Sequence, residues 1–156
     1  MRPQRLDHAF FDDARPRLGS LLVEKGLITD DQLSEALVER AQTGELLGET
    51  LVRLGFIFED ELARVLAEQV GVPFSDPDTT SVDAHAAATL PRELGEALCV
   101  LPVRFLSDGG LLVAVADPLD SKLVPQLQLA LSCPVEIAVA TPSSIRAAWR
   151  RLAPLR

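Results

Sequence analysis

A duplicated segment constrains the fold of this chain more than any other feature. Residues 17–40 read RLGSLLVEKGLITDDQLSEALVER, and residues 46–69 read LLGETLVRLGFIFEDELARVLAEQ. An offset of 29 residues aligns the two copies, and only five residues, 41–45, join them. A unit this short cannot bury its apolar face alone, so we expect the copies to pack on each other. The pair would offer two similar surfaces, which suits a ligand that is itself two-fold.

Each copy has the sequence pattern of a helix, a tight break and a second helix. Gly26 stands where a glycine would end the first helix in the left-handed conformation. Thr29 and Gln32 fit a capping box at the start of the second helix. In the second copy Gly55 marks the break, and Phe58 takes the place of the capping threonine. We therefore predict four helices, the last of them with the weaker N-terminal cap.

The second half of the chain mixes strand and helix periodicities. Apolar runs at 100–106, 111–115 and 135–139 predict strands, and Asp108-Gly109 predicts a hairpin turn between the first two. Helices are predicted at 83–90, from Pro91 to 97, at 119–131 and, after Thr141 as N-cap, from Pro142 to 151 or 152. The predicted fold class is therefore α+β, with an N-terminal helical subdomain built from two helix-break-helix repeats and a C-terminal small three-stranded sheet with helices.

Changes in composition along the chain predict the domain bounds. We expect a tail at 1–16, the tandem-repeat helical subdomain at 17–74, a linker at 75–82 and the α+β subdomain at 83–153. The linker prediction depends on the polar, proline-containing stretch 74–80, FSDPDTT. The tail is polar except for Ala9-Phe10-Phe11. Two alternatives stay open for it: disorder, or docking of its two phenylalanines onto the body of the protein.

Charge and composition exclude several classes of protein. The net charge of −8 argues against a generic binder of DNA or of anionic membranes. No apolar run approaches the ~20 residues of a membrane span, and the first residues lack the apolar core of a signal peptide. We therefore expect a cytoplasmic protein without direct membrane insertion. Cys99 and Cys133 are isolated, which favours buried thiols, and His8 and His85 lack neighbours at the spacing of metal ligands.

Patterns of catalytic residues are also missing from the sequence. It contains no GxxxxGK[ST], GxSxG or HExxH motif and no tyrosine. The paired aspartates Asp12-Asp13 and Asp30-Asp31 fit solvated or capping groups better than an acid–base pair. We therefore expect that the chain is not an enzyme and has no catalytic residues, no metal site and no cofactor.

The repeat resembles the MshEN domain, the N-terminal domain of type II secretion and type IV pilus ATPases. That family's motif opens with RLG, continues with spaced aliphatic residues and a glycine, and occurs twice with a five-residue spacer. The first copy fits it from Arg17-Leu18-Gly19 onward and the second from Leu47-Gly48 onward. Residues 71–74, GVPF, and 113–118, VAVADP, are similar to the family as well. The resemblance covers roughly residues 17–152.

This resemblance implies that the chain binds cyclic di-GMP, with each repeat holding one half of the ligand. It also implies a downstream ATPase, or another effector domain or protein, as partner. In this interpretation arginine pairs with a phosphate or stacks on a guanine, glycine lets the backbone approach the ligand, leucine contacts ribose and base, and the glutamine and aspartate bond guanine edges. For the aspartate, an Asp-Pro turn cap is the alternative. The implied binding residues are Arg17, Leu18, Gly19, Leu22, Arg40, Leu47, Gly48, Leu51, Gln69 and Asp117.

Two positions depart from the family motif. Arg40 stands where the motif has glutamine, and Leu46 stands where it has arginine. Arginine can still bond a guanine, whereas leucine cannot pair with a phosphate, which would cost one half-site about 1.5–3 kcal/mol. That energy corresponds to about a ten- to hundredfold loss of affinity. The alternative function is therefore a nucleotide-free docking domain that anchors a secretion or pilus ATPase to its membrane complex.

Overall fold

The computed structural model describes residues 18–77 and 81–152. The Ala9-Phe10-Phe11 cluster and Arg17 lie outside the described residues. The described chain divides into two compact units, with the division between Val65 and Leu66. The predicted α+β fold class is confirmed, since the chain carries four helices in its first part and a three-stranded sheet with helices in its second.

The duplicated segment forms four helices, as the sequence predicts. They are α1 over residues 18–24, α2 over Asp30–Thr43, α3 over Leu47–Arg53 and α4 over Glu59–Val70. Gly26 and Gly55 adopt left-handed φ angles of 74° and 78°, so both breaks are confirmed. Thr29 and Gln32 form the predicted capping box: Thr29 Oγ1 accepts from the Gln32 amide, and Gln32 Oε1 accepts from the Thr29 amide.

The second unit is built on a mixed sheet in the order β1-β2-β3. β1 and β2 are antiparallel and joined by the predicted hairpin, whereas β3 runs parallel to β2 with Val113 opposite Ile137. The helices and strands are α5 Ala84–Ala87, α6 Arg92–Leu98, β1 Val100–Phe105, β2 Leu111–Val115, α7 Leu123–Leu131, β3 Val135–Val139 and α8 Pro142–Arg151.

The starts of α7 and α6 differ from the prediction. α7 begins at Leu123 instead of 119, because aspartate side chains close turns before it. Asp117 Oδ1 accepts the amide of Leu119 at 3.2 Å, and Asp120 Oδ1 accepts the amide of Lys122 at 3.0 Å. Pro91 is the N-cap of α6 and not its first helical residue. The hydrogen bonds from aspartate side chains to nearby backbone amides before α7 compete with an earlier start of that helix.

The sheet has a hydrophobic cluster on each face. Alternate residues of β1 and β2 point to opposite sides, so that Val100 and Val113 join the cluster with α7 while Leu101 and Ala114 join the cluster with α8. Trp149 of α8 is buried, and its indole Nε1 donates to the carbonyl of Val100 at 2.8 Å. A Cβ on Gly95 of α6 would collide with this indole ring, so the glycine permits close packing there.

Ser75, the first residue of the predicted linker, and the preceding Phe74 bond to β3. Phe74 forms a parallel bridge with Val139, and the amide of Ser75 donates to the carbonyl of Val139 at 2.8 Å. The amide of Val139 donates in turn to the carbonyl of Pro73. Polar composition predicted a loop, but backbone bonding to an open sheet edge needs no apolar side chains. The subdomain bounds at 74 and 83 stay predictions.

Candidate functional site

The two repeats contain the same glycine–leucine contact. A Cβ added to Gly19 would lie 2.7 Å from Cδ1 of Leu33, and one added to Gly48 would lie 2.8 Å from Cδ2 of Leu62. Both glycines thus let the first helix of a repeat approach the second, with the leucine lying over the glycine Cα. The sequence analysis predicted that these glycines let the backbone approach a ligand. In the structure a leucine fills the Cβ side of each glycine, and the approach of a ligand to these glycines stays a prediction.

Four leucines of the predicted site lie in the core. Leu22 and Leu51 are completely buried, and Leu18 and Leu47 keep only 3% of their surface exposed. Such side chains have almost no surface to offer a ribose or a base. In this structure these leucines bury apolar area, the dominant favourable term in folding. Their contacts with a ligand stay a prediction.

Arg40 has the properties of an anion-binding side chain. It lies in the last turn of α2 and is half-buried. Among residues 18–77 and 81–152 its guanidinium forms no ion pair and no hydrogen bond. A half-buried guanidinium without a counter-ion can gain charge-assisted hydrogen bonds from a phosphate or from a guanine edge.

Arg53 of the same unit provides the contrast. Its guanidinium bonds Glu45 at 2.8 Å and Glu39 at 3.3 Å, and so ties α3 to α2 and to the connection between the repeats. The hydrogen bond with Arg53 lowers the pKa of Glu45 below its ordinary value of 4.5, and the same bond raises the pKa of Arg53. Arg53 is thus committed to the fold, whereas Arg40 has no such partner among residues 18–77 and 81–152.

Leu46 occupies the N-cap position of α3 with its side chain half-buried. It makes no side-chain cap, while its carbonyl accepts from both the amide and the hydroxyl of Thr50 at 3.0 Å. The second repeat therefore has no charge at this position, as its sequence indicates.

The remaining predicted residues fall in the second unit or outside the described chain. Gln69 lies near the end of α4, half-buried, with its Oε1 atom buried. Asp117 is half-buried and caps the turn after β2, which is the alternative that the sequence left open for it. Arg17 is outside the described residues. Seven of the ten predicted residues thus lie in the first unit: Leu18, Gly19, Leu22, Arg40, Leu47, Gly48 and Leu51.

The sequence interpretation missed the partners of the two glycines. Leu33 and Leu62 each follow their glycine by the same interval and are related by the same offset of 29 residues. The signal was present, but it was assigned to a general apolar core. A duplicated Gly–Leu pair in a helical hairpin predicts a duplicated close contact.

The described residues contain neither a cluster of metal ligands nor a membrane-spanning helix. Within residues 18–77 and 81–152, no three His, Cys, Asp or Glu side chains are grouped so that they could hold a metal ion. None of the helices in those ranges is long and apolar enough to cross a membrane.

The fold and the paired repeats define a regulatory N-terminal domain and not a catalytic ATPase domain. The profile of the MshEN domain matches residues 70–156. The chain belongs to the MshEN domain family.

Sequence relatives extend the similarity into the repeats. The type IV pilus assembly ATPase PilB of Myxococcus xanthus is 35% identical over 135 residues, which are 86% of this chain and 24% of that protein. The PilB of Thermus thermophilus is 38% identical over 139 residues, 88% of this chain and 15% of that protein. Because these matches are longer than the stretch 70–156, they include part of the duplicated segment. The chain spans about a quarter or less of the length of these relatives.

Solved structures show the same architecture. A structure of MshE with cdg matches with a TM-score of 0.76 and 33% identity, over 87% of this chain and 98% of that one. The N-terminal domain of XpsE matches with a TM-score of 0.74 and 26% identity, over 90% of this chain and 96% of that one.

Proposed function

We propose that this chain is a cyclic di-GMP-binding sensor domain of a pilus- or secretion-type ATPase system. The observation that carries the proposal is the likeness to MshE with cdg, which extends over nearly all of that chain. We take cdg as cyclic di-GMP. The similarity to PilB proteins supports an ATPase as the downstream partner.

The chemistry of the ligand fits the charged residues of the first repeat. Cyclic di-GMP carries two phosphates and two guanines, and a guanidinium can pair with either group in a bidentate manner. Arg40 is half-buried and has no partner among the described residues that the ligand would have to displace. In the proposal Arg17 and Arg40 serve one half of the ligand, and Gln69 and Asp117 contribute hydrogen bonds to guanine.

The proposed repeats are unequal in strength. Arginine at 17 and 40 gives the first repeat two cations, whereas the second opens with Leu46. Loss of one charged hydrogen bond costs about 1.5–3 kcal/mol. We therefore expect cyclic di-GMP to bind more weakly than at a site in which both repeats begin with arginine. Substitutions in the first repeat should weaken binding more than substitutions in the second.

The test of the proposal is calorimetric titration with cyclic di-GMP. We expect Arg17→Ala and Arg40→Ala each to weaken binding by about ten- to hundredfold, since each removes a charged hydrogen bond, with the melting temperature nearly unchanged. Arg146→Ala is the matched control, because it removes an exposed arginine of α8 with no ion pair in the described chain. If Arg17→Ala left the affinity for cyclic di-GMP unchanged, Arg17 would not be a binding residue.

A nucleotide-free docking domain is the second candidate. It is favoured by Leu46 and by the burial of the four site leucines, which leaves little apolar surface for a base. The two candidates differ in the same titration. No heat and no melting shift with ligand at about 100 μM, a concentration that detects even weak complexes, would remove the sensor and leave the docking domain.

A further inference from the structure

The two edges of the three-stranded sheet differ in how they are protected from other chains. β1 forms one edge, and it contains Pro102, which has no N–H, beside a break in its register with β2. The carbonyl of Val100 accepts the indole Nε1 of Trp149, and the carbonyl of Val103 accepts the amide of Asp83 at 2.9 Å. A proline, a bulge and occupied carbonyls are usual means of closing a sheet edge.

β3 forms the other edge, and every second residue of it faces away from β2. The amide of Ala140 donates to the carbonyl of Val115 at 2.9 Å, and in a parallel ladder alternate residues bond the same neighbouring strand. The even-numbered residues of β3 therefore bond β2. The odd-numbered residues, Val135, Ile137 and Val139, direct their N–H and C=O groups outward.

The chain before the sheet pairs with only the last of these three positions. The amide of Val139 donates to the carbonyl of Pro73 at 2.9 Å, and its carbonyl accepts the amide of Ser75 at 2.8 Å. The preceding bond of this ladder would run from the amide of residue 73 to the carbonyl of Ile137, and a proline has no N–H to donate. In the part of the chain that the structure describes, Val135 and Ile137 therefore have no backbone partner on this side.

The open β3 edge, residues 135–137, alternates apolar and acidic side chains. Val135 and Ile137 are half-buried and pack against the hydrophobic cluster on the α7 side of the sheet. Glu136 lies on the opposite face, is exposed, and forms no ion pair with the described residues. A strand added at this edge would extend the apolar cluster on one face and meet a carboxylate on the other.

Charge decides which kind of strand fits this edge. Two copies of the open β3 edge, paired about a two-fold axis, would place two Glu136 carboxylates directly opposite each other, and like charges in that position are destabilising. A basic side chain opposite Glu136 forms a favourable cross-strand pair instead. The net charge of −8 also favours a cationic partner over a second copy.

We propose that the open β3 edge binds an extended segment of a partner protein by strand addition. The segment carries an apolar–basic–apolar triplet, whose basic side chain lies opposite Glu136 and whose apolar side chains cover Val135 and Ile137. Its backbone makes the hydrogen bonds that Pro73 cannot make. The contact does not involve cyclic di-GMP, so its failure and the failure of the sensor proposal are separate results.

Titration of the full chain with a synthetic peptide, followed by NMR spectroscopy, tests the strand addition. The probe is acetyl-Thr-Val-Arg-Val-Thr-amide. One control peptide has glutamate in place of arginine, and a second has its three central N–H groups methylated, so that it cannot pair as a strand. We expect the arginine peptide to shift the amide signals of residues 135–137 and to bind about tenfold more tightly than the glutamate peptide, because attraction by Glu136 becomes repulsion. The methylated peptide should not bind.

Charge reversal at Glu136 gives the second comparison. Glu136→Lys should invert the preference, so that the glutamate peptide binds about tenfold more tightly than the arginine peptide. Glu93→Lys is the matched control, since it makes the same change at an exposed glutamate of α6 that has no ion pair among the described residues. This variant should keep the preference of the parent chain.

Three results would overturn strand addition at this edge. They are unshifted amides at 135–137 with the arginine peptide at about 1 mM, a concentration that reveals even weak complexes, binding that survives methylation, and a preference that Glu136→Lys leaves unchanged. If dilution of the parent chain shifts the same amides and sedimentation shows a dimer, the occupant is a second copy and the proposal is wrong.

Discussion

Two arginines of the first unit show how a residue's neighbours decide its role. Arg53 is held by Glu39 and Glu45, whereas Arg40 forms no ion pair in the described chain. Both residues lie in the last turn of a helix, so their local positions are similar. The sequence placed Arg40 in the site through the family motif. It could not show that Arg53 is occupied, because Glu39 and Arg53 are brought together by the fold.

At the residue scale we predict a pH-dependent loss of the Arg53–Glu45 contact. The pKa of Glu45 is lowered in the folded state, so the pair's stabilisation is present above the ordinary value of 4.5 and is lost as the pH falls through the lowered pKa. Arg53→Gln should therefore lower the melting temperature slightly at neutral pH, and this difference from the parent protein should shrink in acid.

Melting curves between pH 7 and pH 3 measure the effect, at low salt so that screening does not hide it. Arg104→Gln is the control, since Arg104 is exposed and has no ion pair among the described residues. A difference between Arg53→Gln and the parent that stays constant across the pH range would show that the pair does not stabilise the fold.

At the scale of single elements, α2 begins with a side-chain N-cap, whereas the corresponding position before α4 has no capping side chain. Thr29 caps α2 with its hydroxyl, whereas Phe58 stands before α4 with 75% of its surface exposed. The amide of Phe58 still donates to Glu61 Oε1 at 3.3 Å, so half of a capping box is already present. Phe58 therefore leaves α4 without the reciprocal bond that a hydroxyl would make.

We predict that substitutions at these two positions have opposite effects on the stability of the fold. Thr29→Ala should lower the free energy of unfolding by about 0.5–2 kcal/mol, the usual worth of an N-cap side chain. Phe58→Thr should raise it by a similar or smaller amount, because it completes the box without removing buried surface. Urea unfolding followed by circular dichroism measures both. Destabilisation by Phe58→Thr would reveal that the exposed ring makes a contact that the cap does not replace.

Elements with a local cause could be predicted from the sequence, and elements with a non-local cause could not. The capping box, the glycine breaks and β2 and β3 depend on residues close together in the chain, and they were predicted at or near their observed bounds. The bridge of Phe74 to Val139 joins positions far apart in the sequence, so local composition did not predict it. The close contacts of Gly19 and Gly48 were missed for a different reason: the Gly–Leu pair recurs in both copies, but its leucine was assigned to a general apolar core.

At the scale of the whole molecule, the two repeats have one architecture and different chemistry. Each repeat packs its glycine on its own leucine, yet only the first has arginine at the positions that the ligand proposal uses. The candidate site was predictable as a set of residue types through the family motif. The sequence could not predict which of those side chains are buried in the core, because a leucine at the start of a helix can be either buried or exposed.

We predict that Leu46→Arg strengthens binding of cyclic di-GMP by about ten- to hundredfold, the worth of one charged hydrogen bond. Leu46 is half-buried and makes no side-chain cap, so the change removes no capping hydrogen bond. Calorimetric titration measures the gain. Gln42→Arg, which adds the same charge at an exposed position of α2, is the control for long-range attraction. Equal gains in the two variants would mean that charge alone, and not position 46, is responsible.

The glycine–leucine contact has a consequence for the history of a duplicated unit. Each copy packs its own two helices through this contact, and the contact itself involves no polar side chain of the other copy. Evolution can then keep the ligand-binding residues in one repeat and lose them in the other, while both repeats keep their helix packing. The arginine at 40 and the leucine at 46 are the kind of divergence that such independence permits.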